Sequence, residues 1–235
     1  MLTIKTKKSN HFLLSVALTF AIVLSPSRSN AQQLRQGISV QMPPASSAAS
    51  MPEADNENAW IVTVTADGSL YFGITPVTPA SLVEEMKIHP RNREQKLYIK
   101  ADARTPYADV EKALAASHVD LFEAAVLLTS AADSPQTGTM VSPKGLEVLL
   151  SAPAGSQPTE VQLINSGQQT PILKINNRQI PLANLSNMLT QLFQNRPEKV
   201  VLVRAEGQLP FADVVHVIDG CRSTGAKVIL TIPGL

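Results

Sequence analysis

The clearest signal is the spacing of apolar side chains in the last third of the chain. Short apolar runs at 160–164 and 172–175 predict two strands, the second followed by a turn at Asn176-Asn177. From 182 to 194, Leu182, Leu185, Met188, Leu189, Leu192 and Phe193 recur at helical spacing and fall on one face. Arg196-Pro197 ends that helix, because the residue before a proline is pushed out of the helical region. The continuous apolar run 200–203 predicts a strand covered on both sides. A second helix is expected beyond Pro210, with Phe211, Val214, Ile218 and Cys221 facing inward and Gly225 at its C-terminal end. A final strand is expected over 228–232. Upstream, strands are expected at 61–65 and 70–72, then a helix capped by Thr78 with Pro79 in its first turn. A strand at 97–100, a helix at 107–118 and a strand at 124–128 follow. The fold class expected is α+β.

These two stretches are copies of one another. Residues 97–110 align with 201–214 at an offset of 104, and only the three positions before the proline differ in chemistry. Upstream, 77–82 meets 180–185 at an offset of 103, and the lead-in Gly37-Ile38-Ser39-Val40 answers Gly145-Leu146-Glu147-Val148 at an offset of 108. A long period present only twice means tandem small domains and not a solenoid. Each is expected to be a mixed sheet with two helices on one face. The boundaries expected are a flexible tether over 32–58, a first domain at 59–130, a linker with the repeated lead-in at 131–158, and a second domain at 159–235.

Charge changes the picture at the N-terminus. Residues 1–30 hold Lys5, Lys7, Lys8 and Arg28 and no acid, around an apolar run at 12–24. As a helix that run spans about 20 Å, short of the ~30 Å hydrocarbon core of a membrane. Small residues follow at Ser29-Asn30-Ala31. Residues 1–31 therefore describe a secretory signal peptide, with a short N-terminal membrane anchor as the alternative, and either places the remainder outside the cytoplasm. The whole chain has 20 basic and 19 acidic residues, which argues against a nucleic-acid binder. The copies differ: 37–130 carries seven basic and twelve acidic residues, 145–235 seven and six. Different partners, or one partner held asymmetrically, are expected.

Candidate chemistry is sparse. Asp213, His216 and Asp219 recur at i, i+3 and i+6 on the second copy's last helix, a conceivable metal or acid/base set. The first copy has Asp109, Lys112 and Ala115 there, so an exposed polar face is expected instead. Asp102 and Glu206 are equivalent acids, a conceivable pair for glycoside chemistry. Their place just ahead of a helix reads better as that of loop carboxylates favoured by the helix dipole. His11, His89, His118 and His216 are scattered, and Cys221, the single cysteine, is expected to be a packed thiol. No nucleophile elbow, phosphate loop or HExxH spacing occurs. No catalytic, cofactor or metal site and no enzymatic activity are expected. Exposed sheet edges suit strand addition by a partner.

The ordered set, seen twice, resembles the extracytoplasmic domain of the ExbD/TolR family. It comprises the glycine lead-in, two strands, a helix, a strand ending in Lys100-Ala101-Asp102 or Arg204-Ala205-Glu206, and a helix opened by Pro106-Tyr107 or Pro210-Phe211. The resemblance implies a periplasm-facing subunit of a biopolymer transport or envelope-maintenance system driven by the proton-motive force, acting by protein or cell-wall binding. Its partners would be an ExbB/TolQ-like inner-membrane channel subunit, envelope proteins or peptidoglycan. The alternative is a free periplasmic scaffold or peptidoglycan-associated protein without proton coupling. The sequence departs from the family pattern in having no Asp or Glu in or before the run 12–24, and in being duplicated. Family members dimerise through such domains, so the two copies are expected to form a pseudo-dimer within one chain.

Overall fold

A computed structural model describes residues 37–89, 96–117, 122–131, 142–168 and 170–232. The signal-peptide or anchor reading of 1–31, and the residues His11 and His118, lie outside the described residues. Among those described, no helix is long and apolar enough to cross a membrane.

The strands in chain order are β1 (Pro44–Ala45), β2 (Ala49–Ser50), β3 (Trp60–Val64), β4 (Leu70–Phe72) and β5 (Thr75–Val77), followed by helix α1 (Pro79–Ile88). Then come β6 (Leu97–Ala101), α2 (Tyr107–Ser117), β7 (Ala124–Ala131) and β8 (Lys144–Leu149). The second copy comprises β9 (Thr159–Ile164), β10 (Ile172–Ile175), β11 (Arg178–Ile180), α3 (Leu185–Phe193), β12 (Val200–Ala205), α4 (Phe211–Arg222) and β13 (Lys227–Leu230). The fold is α+β, with one large mixed sheet and four helices.

Both copies use one topology. In the first, β3 pairs parallel with β6 and antiparallel with β4, β6 pairs parallel with β7, and β5 closes the edge. In the second, β9 pairs parallel with β12 and antiparallel with β10, β12 pairs parallel with β13, and β11 closes the edge. The turn between β10 and β11 is the expected Asn176-Asn177, whose φ of 46° and 67° fit the left-handed pair that a tight hairpin requires. Thr78 caps α1 through a reciprocal capping box with Ser81, and Gly225 leaves α4 at φ +78°.

The two copies do not stand apart. The sheet is continuous, in the order β11-β10-β9-β12-β13-β8-β7-β6-β3-β4-β5, and one hydrophobic core contains Trp60, Leu97 and Tyr107 together with Val161, Val201 and Phe211. Lys144–Leu149, inside the stretch read as linker, is the central strand, antiparallel to β7 and parallel to β13. In the helical layer, Pro106 and Pro210 form a mutual bridge. The amides of Tyr107 and Ala108 donate to the carbonyls of Leu209 and Gly207, at 2.8 and 2.9 Å. Those of Phe211 and Ala212 donate in return to Thr105 and Ala103, at 2.9 and 3.0 Å. Every bond has its partner at an offset of 104, so a pseudo-two-fold axis runs through this contact. A Cβ at Gly207 would lie 2.8 Å from that of Ala108, closer than side chains ordinarily approach.

The tether expected over 32–58 is, where described from Gly37 on, anchored to the sheet by a few buried residues. Met42, Met51 and Ala54 are buried against Ile61, Tyr98, Val126 and Leu128, on the sheet face opposite the helices. Its sequence hides this because small and polar residues separate the few anchors, leaving no helical or strand period. A second expectation is corrected in β12, which is not covered on both sides: Leu202 is half-buried and Arg204 exposed.

Candidate interaction surface

The sheet face away from the helices differs between the copies. In the first copy, register sets Ile61, Tyr98 and Val126 in one row, and Tyr71, Thr63 and Lys100 in the next. The equivalent rows of the second are Glu160, Leu202 and Ile229, then Lys174, Gln162 and Arg204. Residues 37–59, a strap, cross the first face and bury Ile61, Thr63, Tyr98 and Lys100. No described segment crosses the second.

The strap is held at four places. Gln41 N donates to Asp102 Oδ2 at 3.1 Å, and Ala103 N donates to the Gln41 carbonyl at 2.7 Å. β1 pairs parallel with the end of β7, where Ser130 N donates to the Pro43 carbonyl at 3.0 Å. The amides of Ser46 and Ser47 donate to the Asp219 carboxylate at 2.9 and 2.7 Å. β2 pairs antiparallel with β8, and Met51 N donates to the Pro143 carbonyl at 2.6 Å.

The sequence-derived candidates take their places on this frame. Asp102, 3% exposed, also receives Arg104 N at 3.1 Å and the Arg104 guanidinium at 2.8 and 3.0 Å. Those hydrogen bonds hold its carboxyl below the usual range, so it stays ionised while it ties down the strap. Glu206 accepts a 2.7 Å bond from Asn165 N, pinning the loop between β9 and β10. Both are loop-fixing carboxylates, each tied to a different segment.

Asp219 belongs to the strap's latch, which the helical spacing alone did not reveal. Asp213 is raised by burial, against the pull of His216. The set Asp213, His216 and Asp219 forms no metal-holding group, and no such group of His, Cys, Asp or Glu occurs among the described residues. Cys221 is fully buried, and its thiol is pushed up to about 12 by that burial, so it packs as a small apolar side chain.

Sequence reasoning missed the polar chemistry beneath the strap. Lys100 is 2% exposed, and burial lowers its ammonium to about 8 while Asp55, carried by the strap, opposes the shift. Thr63 Oγ1, Tyr98 Oη and Asp55 Oδ1 are buried with no hydrogen-bond partner among the described residues. The signal for Lys100 was present in its alignment with Arg204, but nothing in the alignment said that one would be covered. On the second face, Arg204 is 56% exposed in its side chain and pairs with Glu160 at 2.9 Å. Separately, a surface groove of about 430 Å³ lies between the β3–β4 turn, β5 and α2, with the Asp109–Lys112 ion pair (2.8 Å) in its wall.

A sequence model described as biopolymer transport protein ExbD/TolR matches this chain twice, over residues 13–132 and 124–232. No curated protein matches it. Proteins of the matched family are non-enzymatic accessory proteins of transport or envelope systems. They face the periplasm from an inner-membrane anchor and generally work with ExbB/TolQ-type partners.

Proposed function

The chain belongs to the ExbD/TolR family of biopolymer transport proteins, and from that premise we propose that it is a periplasm-facing subunit of a proton-motive-force-coupled transport or envelope-maintenance system. It acts by binding protein or cell wall, and its channel partner is of the ExbB/TolQ kind. The observation that supports this reading is the reciprocal contact about Pro106 and Pro210, where residues of the two repeats at an offset of 104 bond to one another. The units, 59–130 and 159–235, act as a pseudo-dimer that presents two unlike faces. The stretch 1–31 is its export signal or anchor. The run 12–24 contains no carboxylate, so the proton-responsive group belongs to another subunit.

The test is affinity purification of the tagged protein from its native envelope, in mild detergent. Recovery of a multi-span inner-membrane subunit is the expected result, with the protein itself at one copy per unit in analytical ultracentrifugation. Recovery from the soluble periplasmic fraction with no membrane partner would favour the second reading, a free periplasmic or peptidoglycan-associated scaffold. That reading is supported by the same missing carboxylate.

A further inference from the structure

We infer that the uncovered sheet face of the second copy is a docking surface for an extended, acidic segment of a partner protein, seated as the strap is seated on the first copy. The inference deepens the binding reading above, and rests on it only in taking the protein to act through contact.

The first copy supplies the precedent. Its face is covered by an extended segment that carries Glu53, Asp55 and Glu57 and no basic residue between 37 and 59. The segment contributes small apolar anchors, Met42, Met51 and Ala54, and sets a carboxylate in the field of the Lys100 ammonium. Among the described residues the second copy has no such cover, its own lead-in being used elsewhere. Gly145–Val148, aligned with Gly37–Val40 of the strap, lies in the middle of the sheet as part of β8.

What remains open is chemically matched to a similar occupant. Lys174 and Arg204 flank Gln162 in one row, and Lys174 forms no ion pair among the described residues. Glu160 offsets Arg204 alone, so the row has one uncompensated cation. On either side of that row lie half-buried apolar positions for anchors: the pair Ile164 and Ile172 on one side, and Leu202, next to the already buried Ile229, on the other. A basic row between two apolar strips accepts an extended chain with carboxylates flanked by small apolar residues. A basic or helical partner would meet Lys174 unfavourably or leave the apolar strips unfilled.

The probe is a synthetic peptide with the sequence of residues 37–58, titrated into the full-length protein and followed by amide chemical shifts and fluorescence anisotropy. Saturable binding is expected, with shifts on β9, β10 and β12. Replacing Lys174 and Arg204 by Gln together should weaken it by about tenfold, as should inverting the peptide's three acids to Lys. These positions are half-buried or exposed, and a melting curve checks folding of the double variant. If that variant fails to fold, Lys174→Gln alone serves. Four results would overturn the inference: no binding; shifts confined to β3 and β6, meaning exchange with the strap; equal binding of the inverted peptide; or self-association of the protein through this face. Recovery of a channel subunit in the purification above is independent of all four, so the two readings fail separately.

Discussion

The two copies show how one topology can be finished in two ways. In the first, every residue of β3 and β6 is buried, because helices cover one face and the strap the other. In the second, β9 alternates buried and half-buried residues along its length, as a strand does when one face meets solvent. The difference does not lie in the strands' connections, which match pair for pair. It lies in two aligned lead-ins with two fates: one lies across a sheet, the other inside it. Gly145 permits the second fate, since a Cβ there would lie 2.3 Å from Val126 Cγ1 and something in that contact would have to shift. Among the described residues, duplication thus leaves one sealed face and one open face in a single molecule.

The sharpest way to break this comparison is to empty equivalent positions on the two faces. Tyr98 is 2% exposed beneath the strap, and Leu202 is its half-buried counterpart. Tyr98→Ala is expected to cost about 3–4 kcal/mol, since it removes a buried ring and leaves a cavity that the strap closes over. Leu202→Ala should cost about 1 kcal/mol, because much of that side chain already meets water. Urea denaturation of both variants checks the ratio. Equal losses would mean the second face is as well covered as the first.

A smaller effect separates the two equivalent carboxylates. Asp102→Ala removes an acceptor shared by two backbone amides and the Arg104 guanidinium, and should cost about 2–3 kcal/mol. It should also make residues 37–58 susceptible to limited proteolysis. Glu206→Ala breaks one exposed bond to Asn165 N and should cost under about 1 kcal/mol, with no new cleavage in the strap. If both variants were cleaved alike, Asp102 would not be what holds the strap down.

Much of this was legible in the sequence, and the reasons the rest was not are specific. The helices and the longer strands declared themselves by period, and the repeat let each copy check the other. The turn at Asn176-Asn177 and the Thr78 cap were readable because their chemistry is local. By contrast, the edge strand β5 is three residues long with Pro76 at its centre, a residue that argues against a strand except at an edge. β8 was hidden because its pairing depends on β7 and β13, one far before and one far after it in the chain. The strap carries the signature of a tether because its burial comes from two methionines and two alanines spread over a polar stretch. The latch on Asp219 joins residues 172 and 173 positions apart, beyond the reach of any local spacing.

The finest test of the comparison uses pH. Lys100 and Arg204 are equivalent by register and offset, yet only Lys100 is enclosed. Burial lowers the Lys100 ammonium to about 8 in the fold, against an ordinary value of about 10.4 in the unfolded chain. Between those values the unfolded chain binds more protons at this site than the folded one, so the Lys100 contribution to stability should rise with pH across that window. It is opposed by the buried Cys221, Tyr98 and Tyr107, whose acidic groups burial holds protonated in the fold. For Lys100 alone the gain expected is about 2 kcal/mol, read as the difference between the protein and its Lys100→Met variant in the shift of the urea midpoint from pH 8 to pH 10.5. Lys100→Met should abolish the Lys100 contribution to that slope and leave the protein folded, since the methylene stem that packs under the strap is largely kept. Arg204→Met should leave the slope intact. A slope that survived Lys100→Met unchanged would mean the ammonium keeps its hydration, and that the strap covers the first face more loosely than its buried residues indicate.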